Sequence, residues 1–258
     1  MAEFRRSSSR TDYHEPEEEV YFCPLCKDRG IILGQDTARR CQCLGRRSIF
    51  RLLGAGVMGR LAEECTLDKF NFRYYPPKPV PGESHTTYYE IARRAFEGAE
   101  IFIRECLAGP RARGIMFTGP VGSGKTFLAA AIANELSAAG KAVLFTVVPD
   151  LLDRVRSTYD EANGVTDLEL MQAIKEAPVL VLDDLGAHTY TPWVRTKLYS
   201  VINHRLLHEL PTVVTTNLEL GELDEYLGEP TTSRLIQLCR IYRLMVERDI
   251  RHIKSLGG

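Results

Sequence analysis

The chain has 258 residues, of which 44% are hydrophobic and 26% are charged, and its net charge is −1. This globular composition excludes a protein dominated by disorder, and the balanced charge excludes a uniformly basic surface, so that any surface for nucleic acid or membrane must be local. Because the first twenty residues lack the apolar core of a signal peptide and no stretch reaches the length of a membrane span, we expect a cytoplasmic protein with no membrane partner.

The N-terminal region combines a polar arm with a cysteine module. Residues 1–19 are polar and rich in serine and glutamate, which predicts a disordered arm. In residues 20–54, a Cys-x2-Cys pair and a Cys-x-Cys pair are separated by fourteen residues, the size of a β-hairpin. Four thiolates so spaced can hold Zn²⁺ tetrahedrally and stabilise a zinc-ribbon-like domain that is too small to bury a core. The predicted zinc ligands are Cys23, Cys26, Cys41 and Cys43, with an iron–sulfur cluster or reduced thiols as the alternatives.

An arginine cluster and a proline-rich segment follow the cysteine module. The cluster is either a docking patch for a partner or a solvated face that balances the acidic arm, and it comprises Arg39, Arg40, Arg46, Arg47 and Arg51. Residues 55–82 are rich in glycine, proline and aromatic residues, which predicts an extended linker before a domain at 83–258. Its aromatic side chains either pack within the linker, which we favour, or line a pocket for adenine or another base. An amphipathic helix is predicted over 86–107.

The domain is organised around a phosphate-binding loop. A predicted buried strand at 114–118 leads into a G-x-x-x-x-G-K-[ST] pattern, and a helix is predicted over 126–139. Backbone N–H groups of such a loop bind phosphate, Lys125 adds positive charge near the β- and γ-phosphates, and the Thr126 hydroxyl binds Mg²⁺. The predicted nucleotide-binding residues are Gly119, Pro120, Val121, Gly122, Ser123, Gly124, Lys125, Thr126 and Phe127.

Beyond the loop, the hydrophobic pattern predicts alternating strands and helices. They are a strand at 141–148, helices at 150–159 and 165–177, a strand at 177–182, a helix at 193–209 and a strand at 210–216. His204 and His208 lie four residues apart on one helix, where we expect a surface or packing pair rather than a metal site.

Polar side chains end two of these strands. Asp183 and Asp184 follow the apolar run at 177–182, and Asn217 follows the strand at 210–216. After a phosphate-binding loop, such a strand places its first aspartate beside Mg²⁺ and its second toward the water that attacks ATP. Because ligands collect at the carboxyl ends of parallel strands, these side chains should converge with the loop. The expected fold is α/β, with three layers in which helices cover both faces of a parallel sheet.

The order and spacing of three motifs resemble those of AAA+ ATPases: GPVGSGKT, VLVLDDLG and TTN. The segments VVPDLLDRVRSTY, TPWVRTKLYSVINHRL and LPTVVTTNL, together with CPLCKDRG…CQC, narrow the resemblance to the bacterial DnaC/DnaI helicase-loader family, which is related to the IstB transposition ATPase. It covers residues 20–253 and implies a P-loop AAA+ core that binds ATP and Mg²⁺. It also implies a sensor 1 residue at Asn217, an arginine finger at Arg234 that reaches the neighbouring subunit's site, and a sensor 2 arginine at Arg251 acting within its own subunit.

The resemblance implies a loader that binds the replicative hexameric helicase through its N-terminal module. ATP would control the release of that helicase onto single-stranded DNA during replication initiation or restart. The candidate DNA contacts are Arg154, Arg156 and Tyr159, which offer charge and a stacking face. Many AAA+ proteins carry Asp-Glu where this chain has Asp183-Asp184, so we expect slow hydrolysis stimulated by a partner or DNA. The alternatives are an IstB-like ATPase that partners a transposase, and a nucleotide-switched DNA-binding adaptor with little hydrolysis. A small-molecule kinase is disfavoured because no segment resembles a substrate lid.

Overall fold

Two separate groups of strands are present in the computed structural model, which describes residues 26, 31–34, 37–41, 64–83, 85–157, 166–187 and 190–256. Near the N-terminus, β1 (Ile31–Leu33) and β2 (Ala38–Arg40) form an antiparallel hairpin. The larger sheet has five parallel strands in the order β4-β5-β6-β3-β7. They are β3 (Gly114–Thr118), β4 (Val143–Val147), β5 (Val179–Leu185), β6 (Thr212–Thr216) and β7 (Cys239–Arg243).

Eight helices are described, and the five-stranded sheet lies between two groups of them. The helices are α1 (Tyr88–Ala108), α2 (Lys125–Ala138), α3 (Val148–Ser157), α4 (Asp167–Lys175), α5 (Pro192–Leu207), α6 (Leu220–Leu227), α7 (Glu229–Leu238) and α8 (Ile250–Leu256). Side chains alternate along each strand, so that Met116 belongs to the core cluster that includes α3 to α7 and its neighbour Phe117 to the cluster that includes α1 and α2. Both faces of the sheet are therefore buried, which confirms the predicted three-layer α/β arrangement.

The predicted elements of the domain are present, with ends set by local caps. The helix expected over 86–107 is α1, where Thr87 and Glu90 form a reciprocal capping box. The helix expected to begin at 165 is α4, which begins after the capping residue Thr166. α5 begins at Pro192, in the first helical position that proline favours. None of the described helices has the length and apolar composition that a membrane span requires.

Residues 64–83 pack on the core of the five-stranded domain, so the prediction of an extended linker is wrong for this segment, which we call the strap. Its aromatic residues Phe70 and Tyr75 are buried in the cluster formed by α1, α2 and β3. Two short 3-10 turns and an isolated bridge between Pro79 and Thr87 shape its backbone. The aromatic side chains find their partners in helices far along the chain, and burying them outweighs the extended preference of the prolines.

Arg205 of α5 is fully buried beneath the sheet. Its guanidinium donates to the Thr212 hydroxyl at 2.8 Å and to the backbone carbonyls of Lys175, Ala177 and Pro211 at 2.6–3.0 Å. Burial lowers the pKa of Arg205. Because these acceptors lie at the end of α4 and at the starts of β5 and β6, one side chain joins three elements.

Candidate nucleotide site

The predicted phosphate-binding loop joins β3 to α2 and has a backbone that requires glycine. Gly119, Gly122 and Gly124 have φ angles of 136°, 72° and 93°, which lie in the region that L side chains rarely adopt. A Cβ on Gly119 would lie 2.0 Å from the carbonyl oxygen of Leu244, so the loop also has no space for a side chain there. This curled backbone at the N-terminus of a helix fits a phosphate group.

Lys125 is the first residue of α2 and is 6% exposed. Its Nζ donates to the carbonyl oxygens of Gly119 and Pro120, both at 2.8 Å. Burial lowers the pKa of Lys125 to about 8, although Asp184 and Asp183 oppose the shift. The ammonium group is thus held by the loop itself, in a position where added negative charge would favour its protonated form.

Thr126 and Asp183, the predicted Mg²⁺ ligands, are in contact. The Thr126 hydroxyl donates to Asp183 Oδ1 at 3.0 Å and lies 3.2 Å from Oδ2. Asp183 is 5% exposed, and burial raises its pKa, while hydrogen bonds from the Thr215 and Thr126 hydroxyls oppose the shift. A hydroxyl and a carboxylate so paired are oxygen ligands of the type that Mg²⁺ prefers, so the side chains present fit this ion.

Asp184 and Asn217 also meet, as the sequence predicts. Asn217 Nδ2 donates to Asp184 Oδ1 at 2.8 Å. Asp184 has a φ of 62°, a left-handed conformation that aspartate and asparagine tolerate better than glutamate. The backbone therefore favours aspartate over the longer acid at this position.

A cavity of about 450 Å³ joins these groups to the C-terminal helix α8. Its lining includes the loop residues 121–127, both aspartates, Asn217 and Arg251. A smaller hollow of about 50 Å³ lies beside it, lined by aromatic residues of the strap together with Phe127. The aromatic side chains of the strap pack in the core and also line this hollow, and a role for them in binding a base stays a prediction.

Contacts between the strap and the loop were not predicted. The Tyr75 hydroxyl donates to the carbonyl oxygen of Ser123 at 2.8 Å, and Tyr75 stacks on Phe70 with ring centroids 5.4 Å apart. A Cβ on Gly124 would lie 2.6 Å from the Tyr75 hydroxyl oxygen. Residues so distant in sequence gave no signal of this contact.

Asp249 is a second unpredicted neighbour of the loop. A Cβ on Gly122 would lie 1.9 Å from Asp249 Oδ1, so this carboxylate rests directly on the glycine. Asp249 Oδ1 also accepts from the Arg251 backbone N–H at 2.8 Å, and the Ile250 N–H donates to the Gly122 carbonyl at 3.1 Å. Asp249 lies two positions before Arg251, the predicted sensor 2 residue, and this proximity in sequence is what could have pointed to its place beside the loop.

Three further predicted site residues, Arg234, Arg154 and Arg156, are not among the described residues that line the cavity. Arg234 of α7 is half-buried, donates to Gln237 at 3.1 Å and is not among the described residues that line the cavity of its own chain. Arg156 of α3 pairs with Asp153 at 3.8 Å, and Arg154 lies on the same helix, whereas Tyr159 falls outside the described residues. The structure does not test the roles predicted for these side chains.

Two of the four predicted zinc ligands are described. Cys26 and Cys41 are buried and pack with Ile32 of the hairpin, whereas Cys23 and Cys43 lie outside the described residues. Among the residues that are described, no group of three or more histidine, cysteine or acidic side chains is placed to hold a metal. The rings of His204 and His208 are in contact, with centroids 4.3 Å apart.

Comparison with known proteins agrees with this architecture. The family described as "IstB-like ATP binding protein" matches residues 104–247, more than half of the chain. Phage-like element PBSX protein XkdC of Bacillus subtilis (strain 168) is 28% identical over 90% of this chain and 85% of its own length. Replicative helicase loader DnaI of the same strain is 32% identical over 51% of this chain, which spans 42% of the length of that loader.

Solved structures show the same relationship. A crystal structure of DnaI superposes with a TM-score of 0.58 at 27% identity, covering 73% of this chain and 95% of that one. The resemblance found in the sequence motifs is thereby confirmed, and the five-stranded parallel sheet matches the P-loop AAA+ fold. The chain belongs to the family of IstB-like ATP-binding proteins and is an AAA+ protein of the DnaC/DnaI loader type.

Proposed function

We propose that this chain is an ATPase that loads a replicative hexameric helicase onto single-stranded DNA. The observation that carries the proposal is the convergence of the phosphate-binding loop, the Thr126–Asp183 pair, the Asp184–Asn217 pair and Arg251 on one cavity. The similarity to the DnaI loader supports the choice of partner.

The side chains of the cavity divide the work of ATP hydrolysis. Loop N–H groups and Lys125 would bind and orient the phosphates, and Thr126 with Asp183 would hold Mg²⁺. Magnesium, when bound, neutralises negative charge on the phosphates. Asp184, steadied by the Asn217 amide, is the group available to accept a proton from an attacking water.

Arg234 and Arg251 have different parts in the proposal. Arg251 lines the cavity of its own chain, where its charge would stabilise the phosphates. Arg234 is half-buried on α7 and is not among the described residues that line the cavity of its own chain, and we assign it to the site of a neighbouring subunit. Hydrolysis would then depend on self-assembly, so that mixing Arg234→Ala protein with Lys125→Ala protein should restore part of the activity that each lacks alone.

The N-terminal module is proposed to be the docking element for the helicase, with zinc held by Cys23, Cys26, Cys41 and Cys43. We expect one zinc per chain in the purified protein by elemental analysis. Cys23→Ser should lose the metal and the complex with the host's replicative helicase in size-exclusion chromatography with ATP and Mg²⁺. Cys106→Ser, in which a buried cysteine of α1 is changed, is the matched control. A Cys23→Ser protein that loses zinc but keeps the complex with the helicase would show that docking uses another part of the chain.

Single-stranded DNA is proposed to bind along the segment that contains Arg154, Arg156 and Tyr159. Replacing both arginines with glutamate should weaken binding and flatten its salt dependence. Unchanged, salt-sensitive binding by this variant would remove the assignment.

A second candidate partner is a transposase, which the match to the IstB-like family favours. An ATPase stimulated by a transposase of the same host, and indifferent to its replicative helicase, would support that partner instead. Nucleotide binding without measurable turnover in the presence of helicase and DNA would identify a nucleotide-switched adaptor.

A further inference from the structure

The two aspartates of β5 occupy a β-bulge. Pairing between β5 and β6 shifts between Leu182 and Leu185, where both aspartates face the single residue Thr215. Consecutive side chains of a regular strand point to opposite faces of the sheet. Here Asp183 and Asp184 both line the nucleotide cavity. The bulge therefore accounts for the presence of two carboxylates in one site. In other proteins, too, bulges beside active sites change the direction of a side chain.

Thr215 is hydrogen-bonded to both aspartates. Its hydroxyl accepts from the Asp184 backbone N–H at 2.9 Å and donates to Asp183 Oδ1 at 2.6 Å. A hydroxyl has a single proton, and the contact with an N–H group must use a lone pair, so that proton is directed at the Asp183 carboxylate. Thr215 is 1% exposed, so its hydroxyl is almost fully enclosed by protein atoms.

The backbone contact has a separate consequence. A bulge removes a residue from the regular ladder and leaves its backbone groups without their usual partners. Asp184 also has a left-handed backbone, which costs conformational energy. The Thr215 hydroxyl supplies an acceptor for the Asp184 N–H and so stabilises the conformation that turns this carboxylate toward Asn217.

We propose that Thr215 is the positioning residue of this site: it locks the bulge and thereby holds both carboxylates for magnesium-dependent ATP hydrolysis. The inference rests on the proposed function, because it assigns the site of that same reaction. Thr215 acts through Asp183 and Asp184. Groups that orient metal ligands in this way commonly change metal affinity or activity by about 10- to 100-fold when removed.

Thr215→Val tests the proposal because valine keeps the shape and the strand preference of threonine and removes the hydroxyl. Thr215→Ser restores the hydroxyl. Thr146→Val is the matched control, since Thr146 is a buried threonine of the adjacent strand β4 whose hydroxyl lies 3.5 Å from the Val147 carbonyl. Each protein is titrated with a fluorescent ADP in EDTA and then at increasing Mg²⁺, and ATP turnover is measured separately.

We expect Thr215→Val to bind the nucleotide in EDTA as the wild type does, which shows that the loop is intact. Its half-saturating Mg²⁺ concentration should rise, and its kcat should fall, by about 10- to 100-fold. Thr215→Ser should recover most of both, and Thr146→Val should match the wild type. Equal loss of nucleotide binding with and without Mg²⁺ would show a merely structural role and overturn the inference.

Failure of the inference and failure of the proposed function give different results. A wild type that responds to Mg²⁺, with a Thr215→Val variant that responds equally, would overturn the role of Thr215 alone. A wild type whose nucleotide binding and turnover are both indifferent to Mg²⁺ would overturn the proposed site and this inference with it.

Discussion

The pKa of Lys125 makes a quantitative prediction about the nucleotide-free protein. Burial lowers this pKa from 10.5 to about 8, so the folded chain releases the proton of Lys125 at lower pH than the unfolded chain does. Between these two pH values the unfolded state binds more protons, and the free energy of unfolding must rise with pH. The destabilisation that comes from burying the charged Lys125 is fully present below pH 8 and disappears as the pH approaches 10.5.

The magnitude follows from the same two values. Their separation corresponds to about 3 kcal/mol at the conversion of about 1.4 kcal/mol per pH unit. Lys125→Met removes the titrating group and retains most of the side-chain volume. The unfolding free energy of the wild type minus that of the variant should therefore increase by up to about 3 kcal/mol over this pH range.

The assay is urea denaturation of both proteins in EDTA at a series of pH values. Taking the difference cancels groups that both proteins share, such as Tyr75 and Cys106, whose pKa values are raised by burial. A difference that stays constant with pH, or that falls, would refute the reasoning. In the presence of a nucleotide, phosphate charge should favour the protonated lysine, so affinity should decline above pH 8 in the wild type.

Three further substitutions test one contact in the core of the domain and two contacts beside the site. Arg205→Met should lower the unfolding free energy by about 3–5 kcal/mol, because buried carbonyls at the ends of α4, β5 and β6 lose their donor. A loss under about 1 kcal/mol in urea denaturation would contradict this. Tyr75→Phe should cost about 1 kcal/mol, or about 2–4 °C in melting temperature, and weaken ADP binding, by leaving the Ser123 carbonyl unpaired. Asp249→Asn keeps a cap for α8 but removes a negative charge beside the phosphate-binding loop. Because that charge should repel the phosphates of ADP, the variant should bind ADP about fivefold tighter in fluorescence titration. Weaker binding would show that the carboxylate does not repel the nucleotide.

Features encoded by contiguous residues could be predicted from the sequence. The loop from Gly119 to Thr126 and the apolar strand that leads to Asp183 each follow from residue types in one short segment. The meeting of Asp184 with Asn217 followed from a general rule, that parallel strands present their carboxyl ends together.

Features that depend on register or on distant partners could not be predicted. The bulge that brings both aspartates to one cavity becomes visible only when β5 and β6 are aligned, so the role of Thr215 was missed. The strap was predicted to be a linker because of its four prolines, whereas the partner of Tyr75 lies 48 residues away in the loop. Arg205 would pass for a surface residue of α5, since its acceptors come from three other segments.

Helicase loading is tested most directly on closed circular single-stranded DNA, onto which a ring-shaped hexamer cannot thread from an end. The host's replicative helicase would be incubated with such a circle, ATP, Mg²⁺ and this protein, and unwinding of an annealed oligonucleotide would be measured. We predict that unwinding requires this protein. The Lys125→Ala variant should not support unwinding, whereas the Arg93→Ala variant, changed on the exposed surface of α1, should support it as the wild type does. Unwinding that is unaffected by the protein in every nucleotide state would contradict the loader account.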